Sequence, residues 1–126
     1  MEAGKVNMFS GPFVEKMRAG LARGIKVAAI HYQNEVKKTI SIKYPPASVP
    51  DEPPHLRTGL LRASIQNRRM PDGMTIMVLS DKKYARHLEW GLDPNLKPRP
   101  FFRPTLTHNL TAMKALVIQE VGRGVR

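Results

Sequence analysis

Ser64-Ile65-Gln66-Asn67-Arg68-Arg69-Met70, then Pro71-Asp72-Gly73, then Met74-Thr75-Ile76-Met77-Val78-Leu79-Ser80, is the stretch that decides the fold class. Asp-Gly between two β-prone runs predicts a hairpin, because both residues tolerate the positive φ that a tight turn requires. The hairpin sits between segments with the spacing of helices. Just upstream, Thr58 is a candidate cap for a short helical turn from Gly59 to Ala63. Just downstream, Ser80 or Asp81 is a candidate cap for a short helix from Lys82 to Glu89, with Gly91 as its C-cap.

Farther out, residues 44–57 hold five prolines. No helix or central strand survives that density, so the segment reads as an extended, polyproline-like loop. Its expected role is contact with a neighbour instead of packing on its own domain, with Val49 and Leu56 as anchors. Before it, Phe13, Met17, Leu21, Ile25, Ala28/Ala29, Tyr32, Val36 and Ile40 follow steps of three and four. That period predicts one long amphipathic helix over residues 12–41, roughly 45 Å long. Ser10 and Gly11 are candidate N-caps, and Pro12 suits the first turn. Gly20 and Gly24 fall on one face of it. They fit either close approach to another helix or a tolerated weakening of an exposed face, and the second reading is preferred on the sequence.

Residues 1–11 are polar and aperiodic and read as an arm. After a Pro-rich loop at 92–100, Arg103 or Pro104 opens a last helix with Leu106, Leu110, Met113, Leu116/Val117 and Val121 on one side. Residues 122–126 read as a basic tail. The expected architecture is therefore α+β: a long N-terminal helix and a C-terminal helix packed on a small antiparallel sheet with a β-hairpin, in a single domain over 12–121. A sheet this small exposes apolar surface unless a partner covers it.

The chain has 126 residues, 21 Lys+Arg against 10 Asp+Glu, and a net charge of +11. Such an excess attracts polyanions, so nucleic acid is the first partner to weigh, with simple solubility as the plainer reading. There is no cysteine, which excludes disulfides, thiolate metal sites and thiol nucleophiles. No apolar run approaches the length of a membrane span, no membrane partner is expected, and Met1 to Val6 has no signal-peptide core, so synthesis in the cytoplasm is expected. His31, His55, His87 and His108 are dispersed, without the spacing of a metal site, and His31 reads as a packing or surface residue. No phosphate-cradling Gly-Lys-Ser/Thr occurs. No catalytic residue, metal or cofactor is expected. Contact with DNA would be to phosphates and without sequence preference, with Arg68 and Arg69 beside the hairpin turn as the first candidates.

Three motifs in order carry a resemblance. They are Thr58-Gly59-Leu60-Leu61-Arg62-Ala63-Ser64-Ile65, Tyr84-Ala85-Arg86-His87-Leu88-Glu89-Trp90-Gly91, and Arg99-Pro100-Phe101-Phe102-Arg103-Pro104-Thr105-Leu106. Together they resemble the neck or tail-completion (minor tail component) family of long-tailed bacteriophages, over about residues 10–120. Leu92 departs from the Thr common in that family after the glycine, and Thr105 from a common Ala. The resemblance implies a structural virion protein at the head-to-tail junction, forming a ring, sixfold by analogy, through which the genome passes. Its neighbours would be head-closure, tail-terminator or tail-tube proteins, with nonspecific DNA contact in the lumen. The motif residues would be structural. Arg99, Pro100 and Phe101 would fix the loop before the last helix, and Tyr84 and Trp90 would anchor the short helix to the core or to a neighbour. The alternatives are a free basic DNA-binding protein and a tail-terminator ring.

Overall fold

The computed structural model describes residues 11–42, 46, 48, 50–56, 59–91 and 97–125. Along the chain come α1 (Gly11–Thr39), α2 (Leu60–Ser64), β1 (Ile65–Arg69), β2 (Ile76–Ser80), α3 (Lys83–Trp90) and α4 (Phe102–Gly124). The class is α+β, as the sequence predicts. The two long helices pack together with a two-stranded antiparallel sheet.

The hairpin forms where Asp72-Gly73 predicts it. Gly73 takes φ 71°, and the Asp72 carboxylate accepts hydrogen bonds from the Met74 and Thr75 N–H groups at 2.9 and 3.0 Å. These bonds, the Met74 one foremost, hold the Asp72 carboxyl below its usual pKa. The register pairs Ile65 with Ser80, Asn67 with Val78 and Arg69 with Ile76. Successive side chains alternate between faces, so these six share the face toward α1. There Gln33 donates to the Ile65 carbonyl and accepts from the Asn67 side chain.

The core gathers at the C-terminal half of α1. Tyr32, Val36 and Ile40 meet Ile65, Ala85 and Phe101, with Leu61, Val78, Leu88, Phe102 and Met113 packed around them. The spacing 32, 36, 40 is one face of a helix. Phe101 is fully buried while Phe102 is half-buried, their ring centroids 4.6 Å apart. Of the two neighbouring phenylalanines, Phe101 is the one that enters the core.

Several expectations change. Gly20 and Gly24 are buried, not on an exposed face. A Cβ on Gly24 would lie 2.8 Å from the Val117 Cα, and one on Gly20 would lie 3.0 Å from the Val121 Cα. The glycines let α1 and α4 cross antiparallel with their backbones in contact, because any side chain there would force them apart. The last helix opens at Phe102, earlier than Arg103, and runs through Gly122 to Gly124, into the segment read as a tail. Neither Ser80 nor Asp81 is the N-cap of α3. Lys82 holds that position, and the Ser80 hydroxyl accepts from the Lys82 N–H.

The Pro-rich loop also departs from expectation. Ser48 and Pro54 are buried against their own chain. The Asp51 N–H donates to the Pro98 carbonyl, and the Leu56 N–H to the Ile42 carbonyl. Extended backbone leaves its polar groups unpaired, and here they pair with the loop before α4 and the end of α1. Val49 lies outside the described residues.

Candidate functional site

The third motif starts a helix that cannot cap itself. Phe101 stands at the N-cap of α4, no side chain caps it locally, and the first turn holds no acid. The opening N–H groups of any helix have no partner within the helix. Glu89, near the end of α3, fills that place. Its carboxylate accepts from the N–H groups of Phe101 (3.1 Å), Phe102 (2.7 Å) and Arg103 (3.4 Å). Pro104 comes next and has no N–H to satisfy. Glu89 is only 4% exposed, and its charge sits at the positive end of the α4 dipole.

Arg103 closes the arrangement. Its Nε donates to Glu89 Oε2 at 3.0 Å, and its Nη2 donates to the Glu89 carbonyl at 2.9 Å. The same guanidinium lies 4.0 Å from the centroid of the Trp90 ring, a stacked cation–aromatic contact. Gly91 ends α3 at φ 62°, and its N–H returns to the His87 carbonyl. From α1, the Tyr32 hydroxyl donates to the Phe102 carbonyl at 2.7 Å. Burial, with the negative charge of Glu89 adding to it, pushes the Tyr32 pKa up to about 12. Thr105 returns its hydroxyl to the Phe101 carbonyl at 2.6 Å.

Arg99 secures the loop before α4. Its N–H donates to the Leu88 carbonyl and its guanidinium to the Ser48 carbonyl. Gly59 takes φ 80° ahead of α2, and Arg62 donates to the Ser41 hydroxyl. Leu60 is exposed, and Thr58 lies outside the described residues. Tyr84 and Trp90 are 44% and 55% exposed, so neither anchors α3 in the core. Ala85 and Leu88 do that from the opposite face. Most of the motif residues thus meet in a packing and capping knot.

Pro100 and Pro104 belong to the rim of a polar pocket of about 470 Å³ that also holds Glu35, Asp51 and His108. Among the described residues no hydrogen bond or ion pair joins those three side chains, so no acid–base couple is assembled there. His31 bonds instead to Asn109 at 3.2 Å. No group of three or more His, Asp or Glu among the described residues could hold a metal ion. No helix of the described residues is long and apolar enough to cross a membrane.

The candidate DNA contacts, Arg68 and Arg69, are both exposed but lie on opposite faces of the hairpin. Arg69 shares the face toward α1, whereas Arg68 stands beside Met77 on the outer face. One flat partner therefore cannot meet both through the same face of the sheet.

The remaining feature is apolar. A groove of about 580 Å³ opens between the hairpin and the helix pair. Ala28 and Ala29 lie at its floor, with Ile76 and Val78 from β2 and Met113 and Ile118 from α4 in its walls. Ile118 is 71% exposed. The sequence gave the helix period but not the groove, which forms only where α4 and the hairpin stand apart over α1. No family model matches this chain, and no curated protein or solved structure matches it either.

Proposed function

We propose that this protein is a structural subunit of the head-to-tail interface of a long-tailed bacteriophage, a neck or tail-completion component that closes into a ring around the genome's path. The observation that carries the reading is the open apolar groove beside exposed Ile118. Apolar surface of this kind marks an interaction site. A ring gives each subunit two neighbours to cover it. Three ordered motifs supply the resemblance, and their residues build a capping knot instead of a reaction centre. The net charge of +11 suits a lumen near DNA, with contacts to phosphates that weaken as salt rises. In this reading the protein works by binding and is not an enzyme.

Deleting the gene from the phage that encodes it tests the role. Electron microscopy of lysates is expected to show DNA-filled heads and separate tails but few joined particles. Normal yields of tailed, infectious particles would overturn the connector reading in favour of a free basic DNA-binding protein.

A further inference from the structure

We infer that the apolar groove receives the N-terminal arm of a neighbouring copy of this chain, with Met8 and Phe9 as the inserted side chains. The inference rests on the ring reading for the closure of the assembly, but the arm–groove contact itself rests on reach and chemistry. Along α4 the groove extends from Leu106 to Ile118, twelve residues of helix, or roughly 18 Å. A five-residue extended segment covers about 17 Å. Val6-Asn7-Met8-Phe9-Ser10 directly precedes α1 and is the apolar part of the chain before Gly11. The walls of the groove are almost wholly hydrocarbon, Lys114 excepted, so they suit such side chains.

Reach excludes the chain's own arm. The nearest α1 residue of the groove is Ile25, fourteen residues from Gly11 and thus about 21 Å along the helix. Phe9 lies two residues before Gly11 and Met8 three, which gives their backbones at most about 7 and 10 Å of reach. Even with its side chain extended, neither arrives at its own groove. The donor must be another copy. Arm and groove are different surfaces, so each subunit gives to one neighbour and receives from the other. That is a head-to-tail contact, which closes into a ring when the rotation allows.

The test uses full-length protein. Phe9→Glu spoils the arm and Ile118→Glu spoils the groove, and neither touches the buried core. By native mass spectrometry the unaltered protein is expected to form one closed oligomer. Each variant is expected to assemble at least about 100-fold more weakly, because a charge would have to enter an apolar site. A mixture of the two variants still contains one intact arm and one intact groove, so it is expected to form a one-to-one dimer and stop there. Variants that still form rings, or a mixture that stays monomeric, would overturn the arm contact.

A photoreactive residue at position 9 separates this inference from the ring itself. Cross-links between subunits to residues 106–118 support it. Rings whose cross-links fall elsewhere overturn the arm contact and leave the ring standing. Open-ended strings of subunits carrying the same cross-link support the arm contact and overturn the ring.

Discussion

The two ends of the α1–α4 pair are held together by different means. At one end Val36, Ile40, Ile65 and Phe101 are at most 2% exposed, and Glu89, Arg103 and Tyr32 satisfy the polar groups around them. At the other end no aromatic or branched cluster is enclosed. Gly20, Gly24 and Gly124 bring backbone against backbone, while Phe13 and Ile118 stay 36% and 71% exposed. Side-chain burial removes apolar area from water, and backbone contact between glycines removes little of it. The first end therefore carries most of the subunit's stability. The second leaves apolar surface for a neighbour, beside the groove.

That contrast fails most visibly if the enclosed end tolerates damage. Phe101→Ala is expected to cost about 3–5 kcal/mol in a denaturant unfolding curve, the range for emptying a buried aromatic site. An unchanged midpoint would place the core elsewhere. Glu89→Ala comes next, at about 2–3 kcal/mol, since it leaves the α4 N–H groups without their charged acceptor. Glu89→Gln keeps an acceptor oxygen and loses the charge at the helix end, so its cost should be smaller. Equal costs for the two would show that the cavity, not the cap, sets the loss.

At the glycine end the sign of the effect is the sharper reading. Gly24→Ala gains about 1 kcal/mol of helix propensity but drives a methyl into the Val117 backbone, which costs about 1–3 kcal/mol. The net expectation is a destabilisation of about 1 kcal/mol. Gly122 lies in the same crossing helix with nothing within 4 Å of a built Cβ. There the propensity gain stands alone, so Gly122→Ala is expected to stabilise by up to about 1 kcal/mol. Thermal unfolding of both variants checks the pair. Stabilisation by both would remove the close approach from the account.

The smallest effect vanishes at neutral pH. Tyr32 has its pKa pushed up to about 12 in the folded protein, above the tyrosine value of about 10 in an unfolded chain. Its contribution is therefore complete below pH 10 and is lost as pH rises from 10 through 12. Stability measured across that window should fall for the natural protein and fall less steeply for Tyr32→Phe. Identical profiles would contradict the buried hydroxyl.

Legibility in the sequence followed the same division. The hairpin was readable because Asp72-Gly73 sets its turn from adjacent residues. The core face of α1 was readable because a helix repeats its own period, and Phe101 was readable as the inward aromatic. Gly20 and Gly24 were misread because a glycine in a helix shows no preference for a face until the crossing partner is placed. The role of Glu89 was hidden because its partners lie twelve to fourteen residues ahead, across a turn and a loop. A trace of it was present. A helix opening with Phe101-Phe102-Arg103-Pro104 has no cap of its own, so an acceptor must come from elsewhere. The Pro-rich loop misled because its composition speaks to conformation and not to what pairs with its backbone. Arg68 and Arg69 were grouped by adjacency, which in a strand means opposite faces.

The claim that this subunit works as one member of a ring at the head-to-tail junction is tested most directly by cryo-electron microscopy of purified tailed particles from the phage that encodes it. The account predicts a closed ring of this chain at the junction, with the open groove of each subunit covered by its neighbour. Intact particles that lack the protein, or that carry it as separated monomers with the groove facing solvent, would contradict it.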